Sequence, residues 1–144
     1  MAETRLRVTT GMATEAAYGY SRAVKLGATI YVSGTTATRG GEIVGLGDAG
    51  AQTRQAIENS RWALEQFDSS LEDVVRYRAY VTDLTQWQSV ANELGAFFRD
   101  IRPAGTLVGT SGLILPELLV EIEVEAVIGS GATSATSNRS SDAA

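Results

Sequence analysis

Leu118-Leu-Val-Glu-Ile-Glu-Val-Glu-Ala-Val127 is the stretch that decides the fold. Apolar and acidic residues alternate along it. Val120, Ile122, Val124 and Ala126 therefore share one face of a strand, and Glu121, Glu123 and Glu125 the other. Such a strand fits a sheet that is covered on one side only. Val74-Val-Arg-Tyr-Arg-Ala-Tyr-Val81 has the same character, with Val75, Tyr77, Ala79 and Val81 on one face and Arg76, Arg78 and Tyr80 on the other. Its arginines suit the glutamates as cross-strand partners, each pair contributing about 0.2–1 kcal/mol.

Outward from these two segments, Thr29-Ile-Tyr-Val-Ser33 reads as a buried strand ending in Ser33-Gly34, and Ala23-Val-Lys-Leu26 precedes it across a Gly27-Ala28 hairpin turn. Leu6 to Thr9 and Thr106 to Ser111 bring the strands to six. Trp87, Val90, Ala91, Leu94, Phe97 and Phe98 fall on one helical face, in a helix ending near Asp100 ahead of Pro103. Thr85 with Gln88 has the capping-box spacing. A second helix is expected from about Gly50 to Phe67, capped by Asp48. Its inner side carries Ile57, Leu64 and Phe67 with the small residues Ala56, Ser60 and Ala63. The order of elements gives an α+β fold, a mixed six-stranded sheet with two helices packed on one face. The other face, bearing arginines, tyrosines and glutamates, meets water or another subunit.

The 144 residues, 44% of them hydrophobic, suit a single domain, placed at residues 1–128. Gly129 to Ala144, GSGATSATSNRSSDAA, is nearly all small and polar and is expected to be a disordered tail. No apolar run approaches the ~18 residues of a membrane span, and no secretory signal is visible, so a cytoplasmic location is expected. The chain has no cysteine and no histidine. That excludes disulfides, thiolate nucleophiles and metal sites, the Ser-His-Asp triad and an imidazole base. Chemistry is left to carboxylates, Tyr, Ser/Thr, Lys/Arg, backbone amides and water. A net charge of −5, a single lysine (Lys25) and scattered arginines disfavour nucleic acid as a partner.

The glutamate row is the most visible ionisable group. Glu123 and Glu125 read as a solvated strand face; a functional reading requires one glutamate in a cleft, holding a water or taking a proton. Tyr18, Tyr20 and Tyr31 gather near the first hairpin, and Tyr31 is expected in the core or an interface. Tyr20 in its Gly19-Tyr20-Ser21 turn is less typical of a core, and Arg22 would share its side of a strand. Gly40-Gly41, Gly45 and Gly47 do not spell a P-loop. Gly45-Leu-Gly-Asp-Ala-Gly50 has dinucleotide-fingerprint spacing without a firm preceding strand, so these are read as turn glycines.

Taken in order, several segments resemble the reactive-intermediate deaminase (RidA/YjgF) family over nearly the whole domain. They are Tyr20 ahead of Val24-Lys-Leu-Gly27, Val32-Ser33-Gly34, Ala51-Gln-Thr-Arg-Gln-Ala-Ile-Glu-Asn59 and Leu71-Glu-Asp-Val-Val75. Tyr80-Val-Thr-Asp-Leu84, Ala96-Phe-Phe98, Arg102-Pro-Ala104 and Val120-Glu-Ile-Glu123 follow. The resemblance implies a chorismate-mutase-like fold and a homotrimer with clefts between subunits, the polar sheet face pointing toward the trimer centre. It also implies cofactor-free hydrolysis of enamines and imines such as 2-aminoacrylate to a 2-oxo acid and ammonia. Carried over, Glu121 would position or activate water, Tyr20 would border the cleft, Ser33 and Gly34 would shape it, and Leu107 would offer its backbone amide.

The match departs where it matters for binding. The family's carboxylate-anchoring arginine directly follows Pro-Ala, and here that position is Gly105. The asparagine often found on the second helix is replaced by Ala91. Arg102 and Arg22 are the nearest other cations, and neither stands at the matching position. The chain is thus similar to an arginine-lacking branch, in which Gly105 is expected to widen the cleft for a larger or uncharged substrate. Two functions are expected on this footing. One is a hydrolytic deaminase of small reactive metabolites using Glu121. The other is a non-catalytic or regulatory trimer that binds a small metabolite. Ribonuclease activity, attached to some relatives of the family, is the weakest reading for an acidic chain without histidine.

Overall fold

The computed structural model describes residues 2–133. In chain order the elements are β1 (Leu6–Val8), α1 (Ala13–Tyr18), β2 (Ala23–Leu26), β3 (Thr29–Thr35), β4 (Thr38–Arg39) and β5 (Glu42–Ile43). They continue with α2 (Ala49–Glu65), β6 (Val74–Val81), α3 (Trp87–Phe98), β7 (Ala104–Gly109) and β8 (Val120–Val127). Six strands form one sheet in the order β1-β2-β3-β8-β6-β7, while β4 and β5 make a separate small hairpin. Only the β6–β7 pair is parallel, as a strand–helix–strand connection through α3 requires.

The expected alternation in β8 holds throughout: Val120, Ile122, Val124 and Ala126 are buried and the glutamates between them are not. The buried face packs on α2 through Ala56, Ile57, Ala63 and Leu64, and on α3 through Val90, Leu94 and Phe98, as one core. Small residues on α2 let that helix lie close to the strands. Gln52 is wholly buried and tied on both sides, accepting from Leu119 N at 2.8 Å and donating to Glu117 O at 3.0 Å and Gly45 O at 3.2 Å. It clamps the loop entering β8 to the helix.

Several local expectations change. A six-residue helix, α1, and the β4–β5 hairpin join the expected elements; both are too short for a periodicity to show. Val75 lies outside, because a register shift between Val74 and Arg76 puts Val74 into the core instead. Tyr31 is exposed on the polar face, opposite Glu125, so of the two places expected for it the core is excluded. Trp87 is 52% exposed and lines a pocket beside the core. Asp48 caps α2 as expected, accepting from Ala51 N at 3.0 Å. Thr85 does not cap α3: Asp83 accepts from Thr85 N and Oγ1, at 3.0 and 2.6 Å, and starts a 3-10 turn (Leu84–Gln86) that leads into the helix.

At the C-terminal end, Ser130–Thr133 forms a 3-10 turn against the domain. The buried Asp73 carboxylate accepts from Gly129 N at 3.0 Å, Gly131 N at 3.2 Å and Ser69 Oγ at 2.7 Å. Gly129, Ser130 and Gly131, expected in the tail, are therefore hydrogen-bonded to Asp73 of the domain. The remainder of the expected tail, 134–144, lies outside the described residues.

Candidate functional site

β3 and β8 do not pair evenly. Val32 sits opposite Val124 and Thr35 opposite Ile122, so one extra residue is accommodated around Ser33 and Gly34. Val32 and Thr35 both stay buried, and the bulge carries Ser33 and Gly34. Ser33 Oγ donates to Ser21 O at 2.6 Å, fixing the bulge to the segment that carries Tyr20. Gly34 faces Glu121. A Cβ there would lie 2.7 Å from Glu121 Oε1 and 2.9 Å from its Cδ, so the glutamate occupies its place only because residue 34 has no side chain.

Glu121 differs from its neighbours in the row. Arg76 pairs with Glu125 at 3.8 Å, and Arg78 with Glu125 at 3.3 Å and Glu123 at 3.8 Å. Those two glutamates have the cross-strand role expected of them. Glu121 makes no ion pair or hydrogen bond among the described residues. Burial pushes its carboxyl above the ordinary range, Glu123 adds to the push, and Arg22 opposes it. A half-buried carboxylate that has no fixed partner among the described residues, and whose proton affinity is raised, is equipped to take and return a proton.

Arg22 stands beside it. Its Nη2 donates to Gly34 O, its guanidinium lies 5.9 Å from the centre of the Tyr20 ring, and its Nε is buried with no hydrogen-bond partner among the described residues. Burial lowers its pKa while Tyr20, Glu15 and Glu121 pull the other way, and an arginine so placed remains charged. Tyr20 is anchored at its hydroxyl, 3.0 Å from Thr14 Oγ1. With Met12, Glu15 and Ser21 it lines a groove of about 640 Å³ next to this cluster. Tyr20, Ser33, Gly34 and Glu121 thus come together, and Arg22 joins them.

Gly105 and Leu107 do not. Both lie on β7, paired with Tyr77 and Ala79 of β6, on the helix-covered side of the sheet and two strands away from β8. Within one chain the expected site is split into two parts on opposite faces. The expected widening at Gly105 does not occur either. A Cβ at Gly105 would lie 2.4 Å from Tyr77 Cζ and 2.5 Å from its hydroxyl oxygen, so the phenol takes the space that a side chain there would need. Tyr77 in turn stacks on Phe98, with ring centroids 5.2 Å apart and planes at 16°. Beside them is a pocket of about 530 Å³, with Trp87, Ala91 and Leu107 in its wall.

Tyr77 is the residue that the sequence alone misses. The signal, an aromatic beside a cross-strand glycine, shows only once the parallel register is known. Among the described residues, no cluster of three or more Asp or Glu side chains is placed to hold a metal ion. No helix among them is long and apolar enough to cross a membrane.

A helix-covered mixed sheet with a bulged, charged opposite face defines the chorismate-mutase-like α+β class. The chain belongs to the YjgF/RidA family, whose model, described as endoribonuclease L-PSP, matches residues 10–128. An uncharacterised protein of Streptomyces coelicolor is 34% identical over 123 residues, covering 85% of this chain and 92% of that one. A RutC family protein of Pyrococcus abyssi is 36% identical over 106 residues, 72% of this chain and 82% of the relative. The crystal structure of a Mycobacterium tuberculosis member of the YjgF/YER057c/UK114 family superposes with a TM-score of 0.79 at 42% identity, covering 87% of this chain and all of the other.

Proposed function

We propose that this protein is a cofactor-independent hydrolytic deaminase of small imines and enamines, acting at clefts that form between the copies of a homotrimer. One observation carries the reading: Glu121, pressed against Gly34, is the one carboxylate of the strand row without an ion partner among the described residues, and its pKa is raised. The division of the site supports the trimer, because Gly105 and Leu107 reach Glu121 only if a second copy brings its β7 edge to this face.

The chemistry is short. Glu121 takes a proton from water as the water oxygen bonds to the imine carbon. It returns that proton to nitrogen to give the carbinolamine, then takes the hydroxyl proton and delivers it to the same nitrogen as the C–N bond breaks and the C=O bond forms, releasing NH₃. The sum is R₂C=NH + H₂O → R₂C=O + NH₃, with no oxidant or cofactor required. The adjacent Arg22 guanidinium stabilises the ionised carboxylate between turnovers.

The loss of the anchoring arginine at Gly105 and of the asparagine at Ala91 favours a second reading, a trimer that binds a small metabolite without turning it over. One experiment separates the two. Ammonia release is followed from 2-aminoacrylate, generated in place by a serine dehydratase, and from benzaldimine, generated from benzylamine by a flavin amine oxidase. Acceleration of either over spontaneous hydrolysis, lost in Glu121→Gln, supports the deaminase; acceleration of neither leaves the binding trimer. The ribonuclease description of the family model finds little support in this chain: Arg76 and Arg78 of the charged face are paired with glutamates rather than offered to phosphates.

A further inference from the structure

The residue facing position 105 decides what the pocket behind it accepts. We infer that Tyr77 is the specificity-determining residue of this cleft, and that it selects a neutral, flat, apolar-bodied ligand carrying a carbonyl or imine acceptor instead of a carboxylate. This names the substrate class of the site proposed above and rests on that reading for its chemistry, though its binding test does not require turnover.

Four observations lead there. The phenol of Tyr77 occupies the space into which any side chain at Gly105 would project. Its hydroxyl has no hydrogen-bond partner among the described residues, and Tyr77 is one of the residues that line the pocket, so the phenol is available to donate to a ligand acceptor. The walls are apolar and aromatic, with Tyr77 and Phe98 stacked and Trp87, Leu94, Pro103 and Leu107 around them. A volume of about 530 Å³ is that of a small-molecule site.

Arg99 and Arg102 also line the pocket, and they are the argument against neutrality. Both are exposed, and neither has an ion pair among the described residues. An exposed arginine attracts a carboxylate weakly through water. A carboxylate moved between the Tyr77 and Trp87 rings loses its hydration without a buried cation to replace it, which is the larger effect. A neutral ligand avoids that loss and keeps the phenol hydrogen bond.

Benzamide and benzoate test this, being nearly the same shape and differing in charge. In a Trp62→Phe background Trp87 is the sole tryptophan, and its fluorescence reports occupancy of the pocket. Benzamide is expected to bind at least tenfold more tightly than benzoate. Tyr77→Phe should weaken benzamide by roughly five- to tenfold, the worth of one hydrogen bond. Tyr77→Val combined with Gly105→Arg should reverse the preference, with circular dichroism reporting that the variant folds. Benzoate binding as tightly as benzamide to the parent protein overturns the inference, and so does the absence of a Trp87 response to both. If benzamide binds selectively while neither imine is hydrolysed, the deaminase reading fails and this one stands. If 2-aminoacrylate is hydrolysed and benzamide is not preferred, the deaminase reading stands and the neutral-ligand inference fails.

Discussion

Replacing Gly105 by alanine should destabilise the protein through one contact, and removing Tyr77 should cancel the effect. A Cβ at position 105 would lie 2.4, 2.5 and 2.8 Å from Cζ, the hydroxyl oxygen and Cε2 of Tyr77. Carbon atoms in contact prefer about 3.5–4.0 Å, so the ring must move by roughly an ångström. It is not free to do so, because the ring is stacked on Phe98. Overpacking of this kind costs about 1–3 kcal/mol. At roughly 4 °C per kcal/mol for a domain of this size, Tm should fall by about 4–12 °C. Tyr77→Val removes the three atoms nearest to the new methyl and keeps a strand-forming residue. In that background Gly105→Ala should be neutral or stabilising by about 0.5–1 kcal/mol, since glycine inside a strand is itself unfavourable. The assay is a double-mutant cycle by urea and thermal denaturation, with a coupling energy of at least about 1 kcal/mol expected. An equal cost for Gly105→Ala with and without Tyr77 would refute the claim that the phenol fills this space. It would also remove the basis for a neutral ligand.

Other consequences are as direct. Gly34→Ala should drive the Glu121 carboxylate out toward water, cut the rate of imine hydrolysis at least tenfold and bring its protonation back toward the ordinary range; an unaltered rate would show that the close approach is incidental. Because Glu121 is raised and acts when ionised, kcat/KM should fall as pH drops through that raised value, at higher pH than for an ordinary glutamate. The same shift has a stability counterpart: ionised Glu121 weakens the folded state, so Glu121→Gln should stabilise at neutral pH, with the gain fading in acid. Asp73 behaves in the opposite sense. Burial would raise its carboxyl, but hydrogen bonds from Ser69, Gly131, Gly129 and Ser70 outweigh that and hold it below the ordinary range. Its contribution is present above the unfolded value near ~4 and is lost as pH falls through the depressed one. Asp73→Asn should therefore cost about 1–3 kcal/mol at pH 7 and progressively less in acid, as read by denaturation at several pH values.

How much of this was legible in the residues follows from the range of each signal. Alternation in 118–127 and helical spacing from Trp87 to Phe98 are repeated many times over, so strand, helix and buried face were all readable. Asp48 was readable as a cap because the bond it makes is only three residues long. Val75 was misplaced because a single bulge inverts the alternation after one residue, and no composition marks the bulge. Glu121 could be separated from Glu123 and Glu125 only by family resemblance. What distinguishes it physically is the missing Cβ of Gly34, far earlier in the chain and across a bulged pairing. Tyr77 was assigned to the correct face, but its partner Gly105 lies on a strand paired in parallel through a helix, where local sequence does not fix the register.

Position 105 and residue 77 have to be considered together, and that explains why the change at 105 leaves the fold intact. A glycine inside a strand leaves a hole on the covered side and weakens that strand. Tyr77, directly across the ladder, fills the hole and adds a stacked contact with Phe98, so the loss at one position is offset at the other within the same chain. The compensation also acts as a barrier. An arginine restored at 105 would have to displace a ring stacked on Phe98, so Gly105→Arg alone should lower stability without recreating an anion anchor. Only with a smaller residue at 77 does the guanidinium have room. A cleft in this condition is committed to ligands that tolerate a phenol where a cation would otherwise stand. The polar half of the site, with Glu121, Gly34 and Arg22, keeps its geometry whatever occupies 105, because it lies on the other face of the sheet. The proposed reacting group and the proposed ligand-selecting group can therefore change independently, the first held by a bulge in β3 and the second by one cross-strand pair between β6 and β7.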